Sequence, residues 1–227
     1  MKKKRLFVLS IGGSIVAQDK LNIEFLKQLK KFLEIRTKKG EKFIIVIGGG
    51  KTARKYISAL KSFTNNKVHH DEIGIEATKL NANLVRLALG NLAYKEISIN
   101  PNKKINFKKV LISGGYKPGA STDLDAVLYA KTYKAKEIIN MTNVNILYNK
   151  NPKIYKNAKP IKYIDWNGFF KIIPKKFVSG QNVPFDIKAS KLAKELKKNV
   201  FMIGPSIDNL KNLIEGKKYV GSIIASK

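Results

Sequence analysis

An apolar run that ends in glycine occurs four times along the chain, and this pattern most constrains its fold. The runs are LFVLSIGGS (6–14), FIIVIGGG (43–50), VLISGG (110–115) and FMIG (201–204). Each is short and closed by a residue that favours tight turns, as in buried strands. Glycine ends many strands, so one run alone says little, but four of them predict the strands of one sheet.

Segments with helical periodicity lie between these runs. The predicted helices cover 22–33, 53–63, 73–94, about 188–198 and about 208–215, and two late strands are expected near 200–203 and 219–225. Alternating strands and helices predict an α/β fold with a mainly parallel sheet. Ligands of such folds bind at the carboxyl ends of strands, which is where these glycines lie.

The first three predicted helices each carry an apolar face, the pattern of helices that pack on a core. The faces consist of Phe25, Leu26, Leu29 and Leu33 in the first, Tyr56, Ile57, Leu60 and Phe63 in the second, and Ile73, Ala77, Leu80, Leu84 and Leu87 in the third. Residues 145–180 are less regular and predict loops and short elements, either a lid or a wall of the site.

The composition predicts a globular protein of one domain. The chain has 227 residues, of which 44% are hydrophobic, enough for a sizeable core. No apolar stretch approaches the ~20 residues of a membrane helix, and we identify no secretory signal after MKKKR. Zero cysteines exclude disulfides and thiolate metal sites, and they fit a cytoplasmic protein.

The charge of the chain is unusual. Forty-five basic residues against 16 acidic ones give +29, a field that attracts nucleotides, RNA and anionic membranes alike. The lysines are scattered, and the chain lacks the arginine-rich or aromatic-interleaved basic motifs of RNA-binding modules. We therefore favour a general lysine bias and expect no nucleic-acid or membrane partner, although the charge alone leaves RNA binding open.

The stretch GGGKT (48–52) looks like the end of a P-loop but lacks its spacing. A P-loop needs a glycine five positions before the glycine that precedes the lysine, and that position is Ile45. The remaining strand, glycine turn and helix start can still bind an anion. Arg54, one helical turn after Gly50, either clamps a phosphate or is solvated, and Lys51 has the same two alternatives.

Three more stretches carry polar groups that suit nucleotide chemistry. Gly12-Gly13-Ser14 follows the first predicted strand. NMTNVNILYNKNPK (140–153) offers hydroxyl and amide groups and an aromatic face, or forms an ordinary loop. The most informative is SGGYKPGASTDLDA (113–126), which combines a Pro-Gly turn with Ser121 and Thr122 at a helix start. Asp123 there either has an ordinary first-turn role or positions cations around a transferring phosphoryl.

Taken in order, these stretches resemble the amino acid kinase superfamily, most closely archaeal-type uridylate kinases, from Leu6 to Ile224. The motifs that carry the resemblance are GGGK-x-ARKY at 48–56, D-x-IGI-x-x-T-[RK]-x-NA at 71–82, GG-x-x-PG-x-[ST]-TD at 114–123, TNV-x-x-x-Y at 142–148 and G-[ST]-x-I at 221–224. The resemblance implies a three-layer αβα sandwich in one domain over 1–227. It assigns an acceptor lobe to about 1–115 and an ATP lobe to about 116–227.

The resemblance also implies an activity, transfer of the γ-phosphoryl of ATP to UMP with Mg²⁺, in a hexamer. It assigns catalysis to Arg54 and Asp123, with no metal ligand from the protein. The implied ATP contacts are Gly13, Ser14, Gly50, Arg54, Thr142, Tyr148 and Asn151. The implied UMP contacts are Gly49, Asp71, Tyr116, Lys117, Pro118, Gly119, Ala120, Ser121 and Thr122.

The chain departs from the family pattern mainly on the ATP side. Asn145 and Ile146 replace an Asp-Gly pair, and Asn151 replaces an aspartate. Ala120 stands where relatives often have histidine, and Ser10 stands where they carry Asp or Lys. We expect weaker or altered donor binding with the UMP side intact.

Two lysines and two alternative functions remain open. Lys188 or Lys191 supplies a cation to the donor phosphates or, slightly favoured, is solvated. A kinase of another small phosphate, such as isopentenyl phosphate, would need a histidine in the acceptor half, but His69 and His70 lie outside the motifs. A non-catalytic nucleotide or RNA binder is the second alternative.

Overall fold

The computed structural model describes residues 5–150, 152, 154–176 and 183–226. The strands are β1 (Leu6–Ile11), β2 (Lys42–Ile47), β3 (Val110–Ser113), β4 (Glu137–Met141), β5 (Leu147–Tyr148), β6 (Pro160–Ile161), β7 (Tyr163–Asp165), β8 (Asn199–Ile203) and β9 (Gly221–Ala225). The helices are α1 (Gly13–Val16), α2 (Ile23–Lys38), α3 (Gly50–Leu60), α4 (Lys67–Leu89), α5 (Thr122–Thr132), α6 (Trp166–Ile172), α7 (Ile187–Glu195) and α8 (Ile207–Ile214). Among the helices of these ranges, none is long and apolar enough to cross a membrane.

Seven strands form one sheet in the order β3-β2-β1-β4-β8-β9-β7, and β5 pairs with β6. The neighbours from β3 to β8 are parallel, whereas β9 runs antiparallel to β8 and parallel to β7. The predicted mainly parallel sheet is confirmed. From β1 the chain adds β2 and β3 on one side of β1, and then adds β4 on its other side. The strand order therefore reverses between β1 and β4, and open α/β sheets bind ligands at such a switch point.

Two apolar clusters cover the two faces of the sheet. On one face, α2, α4 and α8 pack against alternate strand residues such as Leu9 and Ile45. On the other face, α5, α6 and α7 pack against the intervening residues, such as Val8 and Ile44. Because strand side chains alternate between faces, apolar strands buried on both faces need helices on both. This is the expected three-layer αβα sandwich.

The helices and strands differ from the predictions where the apolar pattern is absent, either because a helix begins with polar residues or because a strand does not end in glycine. α4 begins at Lys67, earlier than expected, because Asn66 caps it: the Val68 N–H donates to Asn66 Oδ1 at 2.9 Å. β4 was not predicted, since its run EIINM does not end in glycine. The 145–180 segment contains β5 to β7 and α6, short elements as expected.

The apolar faces predicted for the second and third helices are only partly buried. In α2, Phe25, Leu26, Leu29 and Leu33 all lie in the core, as expected. Of the other two predicted faces, by contrast, Tyr56 in α3, Phe63 just after α3, and Leu80 and Leu87 in α4 are exposed, with Phe63 at 86%. α4 buries Ala82, Val85 and Leu89 instead, and α3 packs mainly on α4 rather than on the sheet. The structure thus leaves large apolar side chains on the surface of these two helices.

The turns after β1 and β2 touch backbone to backbone. A Cβ on Gly13 would lie 2.1 Å from Gly50 N and 2.3 Å from Gly48 O. Gly50 has φ +61°, and a Cβ there would lie 2.5 Å from the backbone of Gly13. Both positions therefore require glycine. Gly13 has no space for a side chain, and Gly50 has neither the space nor a backbone dihedral φ that other residues readily adopt.

We expect Gly13→Ala to reduce the free energy of unfolding by more than about 2 kcal/mol, because its methyl group has to push the two turns apart. Gly12→Ala is the matched control, since its Cβ would come no closer than 3.3 Å to another residue. Urea unfolding of both variants tests this expectation. Equal stability of the two variants would contradict the described contact.

Candidate active site

A cavity of about 220 Å³ lies at the carboxyl ends of β2 and β3. Its walls come from the start of α3, the first half of α4, the loop after β3 and the residues on either side of 177–182, which lie outside the description. The predicted site residues that line it are Gly49, Gly50, Arg54, Asp71, Ala120, Ser121, Thr122 and Asp123. Residues from three separate motifs therefore surround one cavity.

The N-terminal end of α3 carries a cation next to the turn after β1. Arg54 Nη2 donates to Ser14 Oγ at 3.0 Å, which joins the two glycine turns through side chains as well as backbone. Lys51 does not face the cavity; its Nζ pairs with Asp19 Oδ2 at 2.5 Å on the surface. Arg54 is therefore the cation that the α3 turn presents to an anion in the cavity.

The loop 116–122 enters the cavity through a tight turn. The Ala120 N–H donates to the Lys117 carbonyl at 3.1 Å, and Gly119 has φ +76°, which together with Pro118 matches a type II turn. The Gly119 N–H donates to Asp71 Oδ2 at 2.7 Å, and its carbonyl accepts from Lys188 Nζ at 2.6 Å. Lys188 is exposed, as expected of a solvated lysine, and its ammonium also holds this loop.

Asp71 has one carboxylate oxygen left for a ligand. Its Oδ2 accepts from Gly119, whereas its buried Oδ1 has no hydrogen-bond partner among the described residues. A buried acceptor without a partner costs free energy, so a ligand hydroxyl that donates to it would be stabilised there. The sequence placed Asp71 at the head of α4, and the structure places it in the second turn, on the wall of the cavity.

Asp123 lies in the first turn of α5 beside a second carboxylate. Ser10 Oγ donates to its Oδ1 at 3.0 Å, and the Asp186 N–H lies 3.4 Å from its Oδ2. Burial and, to a smaller extent, the charge of Asp186 raise the pKa of Asp123 from 3.8 to about 7, although the two hydrogen bonds oppose the shift. Near neutral pH this carboxyl is thus close to the midpoint of its titration.

Two residues beside Asp123 are the N-caps of α5 and α7. Ser121 caps α5 by accepting from the Leu124 N–H at 3.0 Å, and its hydroxyl donates to Asp186. Asp186 caps α7, accepting from the N–H groups of Lys188 and Ala189. Ser121, rather than Thr122, is therefore the cap of α5. No role was predicted for Asp186 from the sequence, although its position before a helical run is the signal of a helix cap.

Three residues that support the cavity were missed because they lie within longer motifs. Asn81 donates through Nδ2 to the carbonyls of Gly48 and Gly49, at 3.0 and 3.2 Å. Thr78 Oγ1 accepts from the Gly115 N–H at 2.6 Å. Buried Asp125 accepts from the Tyr116 N–H at 3.1 Å, and burial raises its pKa to about 7. These contacts fix the turn after β2 and the start of the loop after β3.

The other predicted site residues that the structure describes do not line this cavity. Tyr116 and Pro118 line a second cavity with His69, and Lys117 is exposed. Thr142 follows β4 and pairs with the backbone of Val144, and Tyr148 ends β5. Asn151 lies outside the described residues. The roles of these residues stay predictions.

The two histidines make local contacts at the start of α4. His70 Nε2 lies 2.8 Å from the Thr64 carbonyl, and His69 Nε2 lies 3.3 Å from Asn66 Nδ2. Neither lines the cavity that contains Asp123. A histidine-dependent acceptor site therefore has no support in this arrangement.

The family match agrees with the fold and the cavity. The model of the amino acid kinase family matches residues 5–204, so the chain belongs to this family. A uridylate kinase of Thermoplasma volcanium is 34% identical over 97% of both chains. One of Methanobrevibacter smithii is 32% identical over 97% of this chain and 99% of its own.

A solved structure gives the same result for the whole architecture. The crystal structure of uridylate kinase from Archaeoglobus fulgidus superposes with a TM-score of 0.83 at 30% identity. The match covers 97% of this chain and 100% of that one. The resemblance that the motifs indicated is confirmed.

We expect Asp123→Asn to flatten the pH dependence of stability. The pKa of Asp123 is about 7 in the folded protein and near 3.8 otherwise, so between these values the folded state holds a proton that the unfolded chain has lost. Its contribution to stability is therefore complete below about pH 4 and is lost as the pH rises through about 7, by up to a few kcal/mol.

Urea unfolding between pH 5 and pH 8 measures this effect. The free energy of unfolding of the wild-type protein should fall more with rising pH than that of Asp123→Asn. The exposed Asp208→Asn variant is the control and should follow the wild-type curve. Parallel curves for wild type and Asp123→Asn would contradict the buried carboxyl.

Proposed function

We propose that the chain is a uridylate kinase, which transfers the γ-phosphoryl of ATP to UMP and yields UDP and ADP. One observation carries this proposal: the cavity gathers an arginine, two carboxylates and a Pro-Gly loop from three separate motifs of the family. The names of the relatives support UMP as the acceptor. The uridylate kinases described above match over nearly the whole length of the chain.

On the acceptor side, the proposal assigns the UMP ribose to Asp71. Its free Oδ1 accepts a ribose hydroxyl, and the loop 116–122 closes over the nucleotide. The cavity at the start of α3 receives the UMP phosphate, since Gly49 and Gly50 bring backbone close and the helix N-terminus favours an anion.

On the donor side, the proposal assigns ATP to the crevice between the turns after β1 and β4. Gly12 N–H donates to the Met141 carbonyl at 2.9 Å, so these two turns are adjacent. Gly13 and Ser14 would contact the phosphates there, together with Gly50. Thr142 and Tyr148 would line the adenine side, and the division into an acceptor lobe and an ATP lobe remains part of this proposal.

In the transfer itself, an oxygen of the UMP phosphate attacks the γ-phosphorus as its bond to the β-phosphate oxygen breaks. Such reactions need positioning and charge stabilisation more than covalent chemistry by the protein. Arg54 supplies a cation at the junction of the two glycine turns. In its ionised form Asp123 would orient cationic groups around the transferred phosphoryl, and burial raises its pKa to about 7.

Mg²⁺ enters the proposal as part of the ATP complex. Among the described residues, no group of three or more His, Cys, Asp or Glu side chains is placed to hold a metal ion. The proposal assigns the ion no protein ligand and no step of its own. Bound to ATP, Mg²⁺ neutralises charge on the phosphates.

We further propose a homo-oligomer, a hexamer by resemblance, in the cytoplasm, where its substrates are available. Tyr56 in α3, Phe63 just after α3, and Leu80 and Leu87 in α4 are large apolar side chains exposed on the single chain. Apolar side chains that form one exposed patch are typical of surfaces that another protein covers. A second copy of the chain is the proposed occupant.

A coupled assay with ATP and Mg²⁺ tests the proposed activity by offering UMP, CMP, dUMP and isopentenyl phosphate in parallel. We expect turnover mainly with UMP, and less with dUMP if the hydroxyl at Asp71 is the 2′-hydroxyl. Asp123→Asn should lower kcat at least about a hundredfold while UMP binding persists. Asp71→Ala should raise the KM for UMP about tenfold, with Glu72→Ala as its exposed neighbouring control.

Failure of this assay would be informative in two ways. Folded protein that binds UMP but turns over no acceptor would favour a non-catalytic binder. Preference for isopentenyl phosphate would instead favour the other kinase.

The oligomer is tested with the double variant Phe63→Glu, Leu80→Glu. We expect its mass in solution to fall, because two carboxylates would be buried at the interface without partners. Val220→Glu is the control, since Val220 is exposed elsewhere on the chain. Light scattering after gel filtration gives the mass, and an unchanged assembly would remove α3 and α4 from the interface.

A further inference from the structure

Ser10 belongs to a row of residues at one level of the sheet. Strand pairing aligns Ser10 with Val46 on one side and with Asn140 on the other, and the row continues to Ser113 in β3 and to Ser222 in β9. Paired residues point to the same face of a sheet, here the face covered by α5 and α7. The row thus brings buried polar groups under the helix that carries Asp123.

The other polar members of the row donate hydrogen bonds to backbone carbonyls. Ser113 Oγ donates to the Ser98 carbonyl at 2.8 Å, and Ser222 Oγ donates to the Ile161 carbonyl at 2.6 Å. Asn140 Nδ2 donates to the Pro184 carbonyl at 3.0 Å. These side chains therefore hold the strands to neighbouring backbone segments.

Ser10 differs because its acceptor is a carboxylate of the cavity. Its side chain is 2% exposed, and its Oγ donates to Asp123 Oδ1 at 3.0 Å. Asp123 Oδ2 receives only a longer contact of 3.4 Å from the Asp186 N–H. The shorter hydrogen bond of this carboxylate therefore comes from a residue of the central strand β1.

We propose that Ser10 is a positioning residue of the phosphoryl-transfer site, whose buried hydroxyl fixes the Asp123 carboxylate and favours its ionised form. The effect on turnover rests on the proposed function. The effect on the carboxylate does not, since it follows from the contact between the two side chains.

The physical basis is the balance of forces on Asp123. Burial and the neighbouring charge of Asp186 disfavour ionisation, whereas the Ser10 hydroxyl stabilises the charged form, as hydrogen bonds to ionised groups do. A hydroxyl supplies this hydrogen bond without adding a charge. It therefore holds the carboxylate in place and keeps its pKa from rising further.

Other charged groups face Asp123 and have to stay constant in the test. They are Asp125 on α5, Asp186 at the start of α7, and Arg54, Asp71 and Lys176 around the cavity. A substitution at Ser10 changes none of these residues. A difference in the pKa of Asp123 between the Ser10 variants therefore measures the effect of the Ser10 hydroxyl.

The first measurement is an NMR titration of the Asp123 side-chain carboxyl carbon in the full chain, assigned with Asp123→Asn. Ser10→Ala should raise the pKa of Asp123 by about one pH unit, since a hydrogen bond to a charged group contributes this much. Ser10→Thr keeps the hydroxyl and should restore the wild-type value. Ser10→Cys, a weak donor of similar size, should lie between them even if the threonine methyl is not accommodated.

Ser113→Ala is the matched control. It removes a buried hydroxyl from the same level of the sheet, whose bonds go to Ser98, Gly114 and Tyr129 rather than to Asp123. The pKa of Asp123 should not change in this variant. An unchanged pKa in Ser10→Ala, or an equal shift in Ser113→Ala, would overturn the proposal.

The second measurement is the pH profile of turnover with UMP. Ser10→Ala should lower kcat about tenfold, equivalent to one hydrogen bond, with KM for UMP within about twofold of wild type. The acidic limb of its profile should move to higher pH, and Ser10→Thr should reverse both changes. A wild-type protein without turnover would defeat the proposed function, while the titration would still decide the role of Ser10.

Discussion

The contact between the turns after β1 and β2 is the constraint on which the rest of the site depends. With no side chain at Gly13 or Gly50, the two backbones meet within van der Waals distance. This approach sets α3 beside the end of β1 and brings Arg54 to Ser14. A site for two phosphate-bearing ligands needs both turns close together, because the phosphoryl group has to pass from one ligand to the other.

Opposing electrostatic effects meet where α5 and α7 begin. Two helix N-termini favour negative charge, and Asp123 and Asp186 lie at these ends. Burial and mutual repulsion oppose ionisation, and for Asp123 the outcome is a pKa near 7. The geometry thus tolerates two neighbouring carboxyls next to a proposed phosphate site, at a lower charge than two ordinary aspartates would carry.

The sequence was sufficient for the fold because four of its strands are apolar runs that end in glycine, separated by helical segments. It also selected Arg54, Asp71 and Asp123, which line one cavity because each lies in the first two turns of a helix. It failed where the signal was not local. Ser10 looked like the end of a strand, and only the register of the sheet brings it under Asp123. Leu80 and Leu87 had the spacing of a buried face, yet other residues of α4 meet the sheet.

The loop 116–122 is held mainly by contacts of a different kind from those of the sheet. Gly119 contacts a carboxylate through its N–H and an ammonium group through its carbonyl, and its anchors Asp71 and Lys188 lie on helices of opposite layers. The hydrogen bond of Lys188 lies at the surface, where water competes for the ammonium, whereas water does not reach the apolar core. The connection between the two layers therefore opens more readily than the sandwich beneath it.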